Sequence, residues 1–214
     1  RWALAPAWAA FATAAQGRTR IINAAREPEI EDLQGFLNAM GARVEGAGGS
    51  IVVVDGGYKL HGCEYTVIPD RIVAATLMAA VASATGEIVL EDVRPEHITA
   101  VTAVLERTGV FIETGENTMN VACHERIRHM GGIRTMPYPG FPTDAQAPMM
   151  AAAAGAKGTT VFVETIFESR YKHVAELLRM GADIRVEGRV AVVRGVDKLH
   201  GASVQATDLR GGAA

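Results

Sequence analysis

One pattern runs three times through this chain: an Ala-rich helix, a Gly, a short β-branched run, a second helix, then a Gly-Ala or Gly-Val step into more strand. The first glycine recurs as Gly17, Gly86 and Gly158, and the second as Gly41, Gly109 and Gly181. A step of about 70 residues is longer than a solenoid repeat and fits a βαβαββ unit. Such a unit has helices on one side and strands able to form one face of a three-sided prism. Three units would close around their own buried helices. The residues that break the uniformity of the copies are therefore the candidates for chemistry.

Read along the chain, residues 5–16 are an Ala-rich helix and 18–23 a buried strand. In 27–40, Ile30, Leu33, Phe36, Leu37 and Met40 recur at helical spacing, and Gly41 stops the helix. Alternation in 43–45 and 51–55, around Gly-rich turns, predicts paired strands. The second copy predicts a helix to about residue 84, a strand at 87–90, a helix at 96–107 and strands at 110–113 and 117–121. Between 124 and 142 the pattern loosens. Gly131, Gly132, Pro137, Pro139, Gly140 and Pro142 crowd together there, which reads as a loop forced into one path. The third copy predicts a helix from Asp144, a strand at 159–164, a helix at 173–180 and strands at 182–186 and 190–194. A boundary near residue 68 makes 1–68 the last repeat of a first domain and 69–214 most of a second.

With 49% hydrophobic residues the chain can build a real core, and a net charge of −3 offers no broad basic field for nucleic acid. Cys63 and Cys123 are too far apart for metal-ligand spacing and suggest no disulfide framework. The apolar stretches at 73–82 and 148–155 are too short to cross a bilayer, and no signal peptide is visible. The expectation is a soluble, cytoplasmic α/β protein with no membrane partner. Arg1 is not an initiator Met, and residues 209–214 stop where the next helix of the pattern would begin, so the chain reads as an excerpt of a longer one.

Asp70, Asp144 and Asp208 hold matching places, each just before a helix. Asp is a favoured N-cap, and for Asp70 that reading suffices. Asp144 ends the stiffened run Tyr138-Pro-Gly-Phe-Pro-Thr-Asp, an elaborate way to position one cap. Asp208 is followed two residues later by Arg210, at a helix start where the dipole favours anions. The segment Thr165-Ile-Phe-Glu-Ser-Arg170 joins a strand to a helix, a common ligand position in α/β folds, although Glu168 and Arg170 fit equally well as solvated charges. In the equivalent Arg26-Glu-Pro-Glu29, Pro28 and first-turn acids have a structural explanation. There is no Ser-His-Asp order, Walker loop, GxGxxG or metal cluster. His61 and His200 recur in Lys-Leu-His-Gly, which points to a turn of the repeat, and Cys63 just past it reads as an ordinary half-buried thiol.

These segments resemble the enolpyruvyl transferase family. The matching runs are Ile22-Asn-Ala-Ala-Arg-Glu-Pro-Glu-Ile30, Ile68-Pro-Asp-Arg-Ile72, 137–146, Glu164-Thr-Ile-Phe-Glu-Ser-Arg170, Arg179-Met-Gly-Ala-Asp183 and 194–210, with Ala206-Thr-Asp-Leu-Arg210 the most telling. The resemblance implies an inside-out α/β barrel of two domains, each of three such repeats, with substrates in the cleft between them. It implies transfer of the enolpyruvyl group of phosphoenolpyruvate to the 3-hydroxyl of a nucleotide sugar, UDP-N-acetylglucosamine, at the entry to peptidoglycan synthesis, with phosphate released and neither metal nor organic cofactor. By matching position, Asp144 would contact the sugar and take the proton from its hydroxyl, and the backbone at Ile166 would meet the same sugar. Arg170, Asp208 and Arg210 would lie on the phosphoenolpyruvate side, with Asp208 the second catalytic carboxylate.

Arg1 and Trp2 fall at the turn that would hold the nucleotide diphosphate, where Arg1-Trp2-Ala3 replaces the family's usual Ser-Val-Gly. Ser169 stands where Asn is usual. The family's reactive-loop cysteine would precede Arg1, so neither Cys63 nor Cys123 inherits that role. The departures leave two alternatives: a paralogous transferase acting on another nucleotide such as UMP, and a non-catalytic module that binds a nucleotide sugar.

Overall fold

A computed structural model of the chain describes residues 5–206 and 209–214. The chain divides into two compact units between Ile68 and Pro69. The first unit holds one copy of the repeat: α1 (Ala5–Ala14), β1 (Gly17–Ile22), α2 (Pro28–Ala39), β2 (Arg43–Glu45) and β3 (Ile51–Gly56). β3 lies between β1 and β2 and is antiparallel to both. The first two strands therefore run the same way, joined through α2, and the last strand fills the space between them. Alternation sends Val52 and Val54 into a cluster with Ala12, Leu37 and Val44. β1 is not the buried strand the sequence predicts. It is a sheet edge with Ile22 73% exposed, and Arg18 forks onto Asp55 at 2.7 and 2.9 Å. Arg18 and Arg20, at alternate positions and both exposed, are the mark of a solvated face that the buried-strand reading passes over.

The second unit holds two copies. In one, α3 (Arg71–Ala84) leads to β4 (Gly86–Glu91), α4 (Thr99–Thr108), β5 (Phe111–Thr114) and β6 (Thr118–Cys123), with β6 again in the middle. The predicted helix at 96–107 is broken: a 3-10 turn covers Pro95–His97, and Ile98, with φ −127°, separates it from α4. The segment read as pure loop contains β7 (Gly132–Arg134), which pairs parallel with the first strand of the last copy. The Gly131-Gly132 pair at its start carries the signature of a turn rather than of a strand. That copy follows as α5 (Gln146–Ala154), β8 (Thr159–Val163), α6 (Val174–Arg179), β9 (Asp183–Glu187) and β10 (Val190–Arg194), in the sheet order β7-β8-β10-β9.

The core of this unit centres on α3 and α5, which pack directly on each other. Ala75, Met78 and Ala79 on α3, and Met149, Met150 and Ala153 on α5, are at most 2% exposed. Small alanines bring the backbones close, and methionines fill what remains. Asp70 starts α3 by accepting from the backbone N–H groups of Ile72 at 2.8 Å and Val73 at 3.2 Å. At the far end of α2 and α6, the repeated Lys-Leu-His-Gly acts as a clasp. The N–H groups of His61 and His200 donate to the Met40 and Met180 carbonyls, each at 2.9 Å. A side chain on Gly41 or Gly181, both at positive φ, would press on those imidazoles at about 3 Å. In the second copy the backbone N–H of Arg128 does the same for Thr108. No described helix is long and apolar enough to cross a membrane.

Candidate active site

The predicted residues Asp144, Ile166, Arg170 and Arg210 come together around the start of α5. The proline-rich loop delivers Asp144 to a 3-10 turn, Thr143–Ala145, directly ahead of that helix. Its path is set by hydrogen bonds from Met136 N–H to the Phe141 carbonyl at 2.9 Å and from Gly140 N–H to the Pro137 carbonyl at 2.8 Å. The Arg71 guanidinium lies 5.4 Å from the centre of the Tyr138 ring.

Unlike Asp70, Asp144 caps nothing with its side chain. Its Oδ1 is paired with Arg170 Nη2, and its Oδ2 accepts from Arg210 Nη2 at 3.3 Å. All three side chains are half-buried, 24–35% exposed. The Arg170 guanidinium also lies 4.9 Å from the Phe167 ring centre, and its buried Nε has no hydrogen-bond partner among the described residues. The cluster combines a carboxylate able to accept a proton with two cations suited to an anionic ligand. A helix start adds the positive end of a dipole.

Behind this cluster stands a residue that reading the sequence for charge and motif misses. Glu164, 1% exposed, accepts from Thr135 Oγ1 at 2.9 Å, Thr143 Oγ1 at 2.8 Å, Ile166 N–H at 2.7 Å and Phe167 N–H at 3.1 Å. The signal was strand alternation: Thr160, Phe162 and Glu164 share the buried face, each 1% exposed. Thr135 completes the network by accepting from Thr165 N–H at 2.9 Å, while Thr165 Oγ1 donates to its carbonyl at 2.5 Å. Tyr171 closes the far side, its hydroxyl donating to the Arg189 carbonyl at 3.1 Å. Burial first, and the Glu164 carboxylate second, push that phenol up to about 12.

Glu168 fits the solvated reading, since it is exposed and pairs only loosely with Arg189, at 3.5 Å. Asp208, Arg1 and Trp2 lie outside the described residues. Cys63 is half-buried. Cys123 is buried, and that burial raises its thiol above the usual range.

Comparison with known proteins gives one family. The family model for EPSP synthase (3-phosphoshikimate 1-carboxyvinyltransferase) matches residues 8–214. The chain is 52% identical over 203 residues to UDP-N-acetylglucosamine 1-carboxyvinyltransferase 2 of Caldanaerobacter subterraneus subsp. tengcongensis, covering 95% of this chain and 49% of that protein. It is 53% identical to UDP-N-acetylglucosamine 1-carboxyvinyltransferase 1 of Symbiobacterium thermophilum, covering 95% of this chain and 46% of that one. With UDP-N-acetylglucosamine 1-carboxyvinyltransferase 2 of Bacillus subtilis it shares 46% identity, over 94% of this chain and 47% of the relative. The chain thus spans about half the length of the curated relatives it matches. In structure it resembles the enolpyruvyl transferase NikO from Streptomyces tendae, with a TM-score of 0.78 and 24% identity over 94% of this chain and 48% of that one. That likeness bears on the fold, a mixed α/β architecture of small sheets.

Proposed function

The chain belongs to the EPSP synthase (3-phosphoshikimate 1-carboxyvinyltransferase) family, and on that premise we propose that the full-length protein transfers the enolpyruvyl group of phosphoenolpyruvate to the 3-hydroxyl of UDP-N-acetylglucosamine. This is the first committed step of peptidoglycan synthesis. The acceptor is favoured by the relatives at 46–53% identity, which are named for it.

The observation that carries the reading is Asp144 held between Arg170 and Arg210. Each carboxylate oxygen has a lone pair to spare beyond the one an arginine hydrogen takes. With its side chain 35% exposed, Asp144 keeps room for a hydroxyl proton. In the proposed reaction Asp144 takes that proton, the sugar oxygen bonds to C2 of the enolpyruvyl group, and C3 gains a proton. Loss of one C3 proton together with the phosphate then restores the double bond, so that overall the sugar's hydroxyl proton leaves on the phosphate. Arg170 and Arg210 would draw the phosphoenolpyruvate charges to this point. The Ile166 N–H is already bonded to Glu164. Its carbonyl is therefore the backbone group it can offer a sugar O–H or N–H. Asp208 as second catalytic carboxylate, and Arg1 and Trp2 beside the nucleotide diphosphate, belong to the same reading on sequence alone. So does the inside-out α/β barrel of βαβαββ repeats, with 1–68 the last repeat of one domain and 69–214 most of the next.

The test is phosphate release from phosphoenolpyruvate by the full-length protein, with UDP-N-acetylglucosamine and UMP offered separately. Release with the sugar nucleotide alone is expected; release with UMP alone would assign the paralogous activity instead. Asp144→Asn is expected to lower kcat by about 10²–10⁴-fold, the usual contribution of a general base, with an unchanged melting profile. Near-normal turnover would refute the role.

A further inference from the structure

We infer that Glu164 is a positioning residue for this site, its single carboxylate tying the segment that carries Asp144 to the segment that carries Arg170. The inference rests on the reading of Asp144 as the base. Its first support is the repeat itself. Six residues after the strand-opening glycines Gly17, Gly86 and Gly158 stand Asn23, Asp92 and Glu164. Asn23 and Asp92 are exposed and turn the chain at φ of 58° and 52°. Glu164 has no such φ, is buried, and accepts four hydrogen bonds. A short polar turn residue satisfies the fold twice, so the fold alone does not call for a buried carboxylate in the third copy.

The second support is what the four donors are. All are neutral, and they come from three separate stretches of chain: Thr135 after β7, Thr143 ahead of α5, and the Ile166 and Phe167 amides after β8. A carboxylate is costly to bury unless its lone pairs are filled, and only one with two oxygens can hold three stretches at once. Oε2 takes Thr143, the residue before Asp144. Oε1 takes Ile166 and Phe167, at the head of the loop that ends in Arg170. The spacing between base and arginine is thus set from behind by Glu164, which touches neither.

Two variants separate the arms. Thr143→Val removes only the hydroxyl on the Asp144 side. Glu164→Gln keeps the shape but replaces one acceptor oxygen with an NH₂ group. In the full-length protein, Thr143→Val should lower kcat about tenfold with both KM values within about twofold, as expected for a base moved without loss of substrate contacts. Glu164→Gln should lower kcat at least as far, and the double variant should be no worse than Glu164→Gln alone, because the two act through one bond. Hydrogen exchange read by mass spectrometry should speed up in both 142–146 and 164–170 for Glu164→Gln, and in 142–146 only for Thr143→Val. Turnover of both variants within about twofold of the parent, or multiplying losses in the double variant, would overturn the inference. So would unchanged exchange at 142–146 in Glu164→Gln. If the parent protein releases no phosphate with either acceptor, the assignment of the base fails, and the exchange result alone decides for or against the Glu164 tie.

Discussion

Asp70 and Asp144 occupy the same place in successive copies, and only their neighbours make them different. Asp70 faces free helix N–H groups and caps them; Asp144 is turned onto two guanidiniums. The residue types around Asp144 were legible in the sequence, because prolines stiffen the approach and arginines follow at 170 and 210. Glu164 was not legible by that route, because a glutamate near a loop looks like any solvated charge until strand alternation is carried one residue past β8. Tyr171 shows the reach of that buried carboxylate. Its hydroxyl donates to a backbone carbonyl and lies near Glu164, so ionising it in the folded state is resisted. The folded phenol titrates at about 12 and an unfolded tyrosine near ~10. The stabilisation is therefore complete below about pH 10 and drains away as pH climbs toward 12. Denaturation midpoints measured across that window should fall more steeply in the parent than in Tyr171→Phe; parallel curves would contradict the assignment.

At the scale of elements, α3 is the one helix with a described side-chain cap at its start, while α2, α4, α5 and α6 have none. Helix α5 begins instead from a 3-10 turn. Asp70→Ala should therefore destabilise the protein by about 0.5–2 kcal/mol in chemical denaturation, the usual loss for an N-cap. Asp144→Ala should cost less, since it removes half-buried ion pairs and no cap. Equal losses would mean that Asp144 is structural after all. Periodicity placed nearly every helix and strand to within a few residues, because each is long enough to show its period. It failed where turn residues mask a strand, as Gly131 and Gly132 do at β7, or where one off-helix residue, Ile98, splits a helix. At β1 the signal was there, in Arg18 and Arg20 on one face, and the buried-strand reading gave it too little weight.

Over the whole molecule, one arrangement is made three times: β3, β6 and β10 each lie between the two earlier strands of their copy. A middle strand has both its backbone edges paired, so its amides open only when the sheet does. Native hydrogen exchange should be slowest in these three strands and faster in their edge partners β2, β5 and β9. Edge strands exchanging as slowly as the centres would be inconsistent with the pairing. The strand order has a further meaning for a chain made from its N-terminus onward. Without Val190–Arg194, the slot between β8 and β9 would have unpaired backbone on both sides. The slot is cut for one strand of matching sequence, and every other nascent copy carries that strand. A chain slow to supply its last strand would leave time for the slot to close on a neighbour's strand instead of its own.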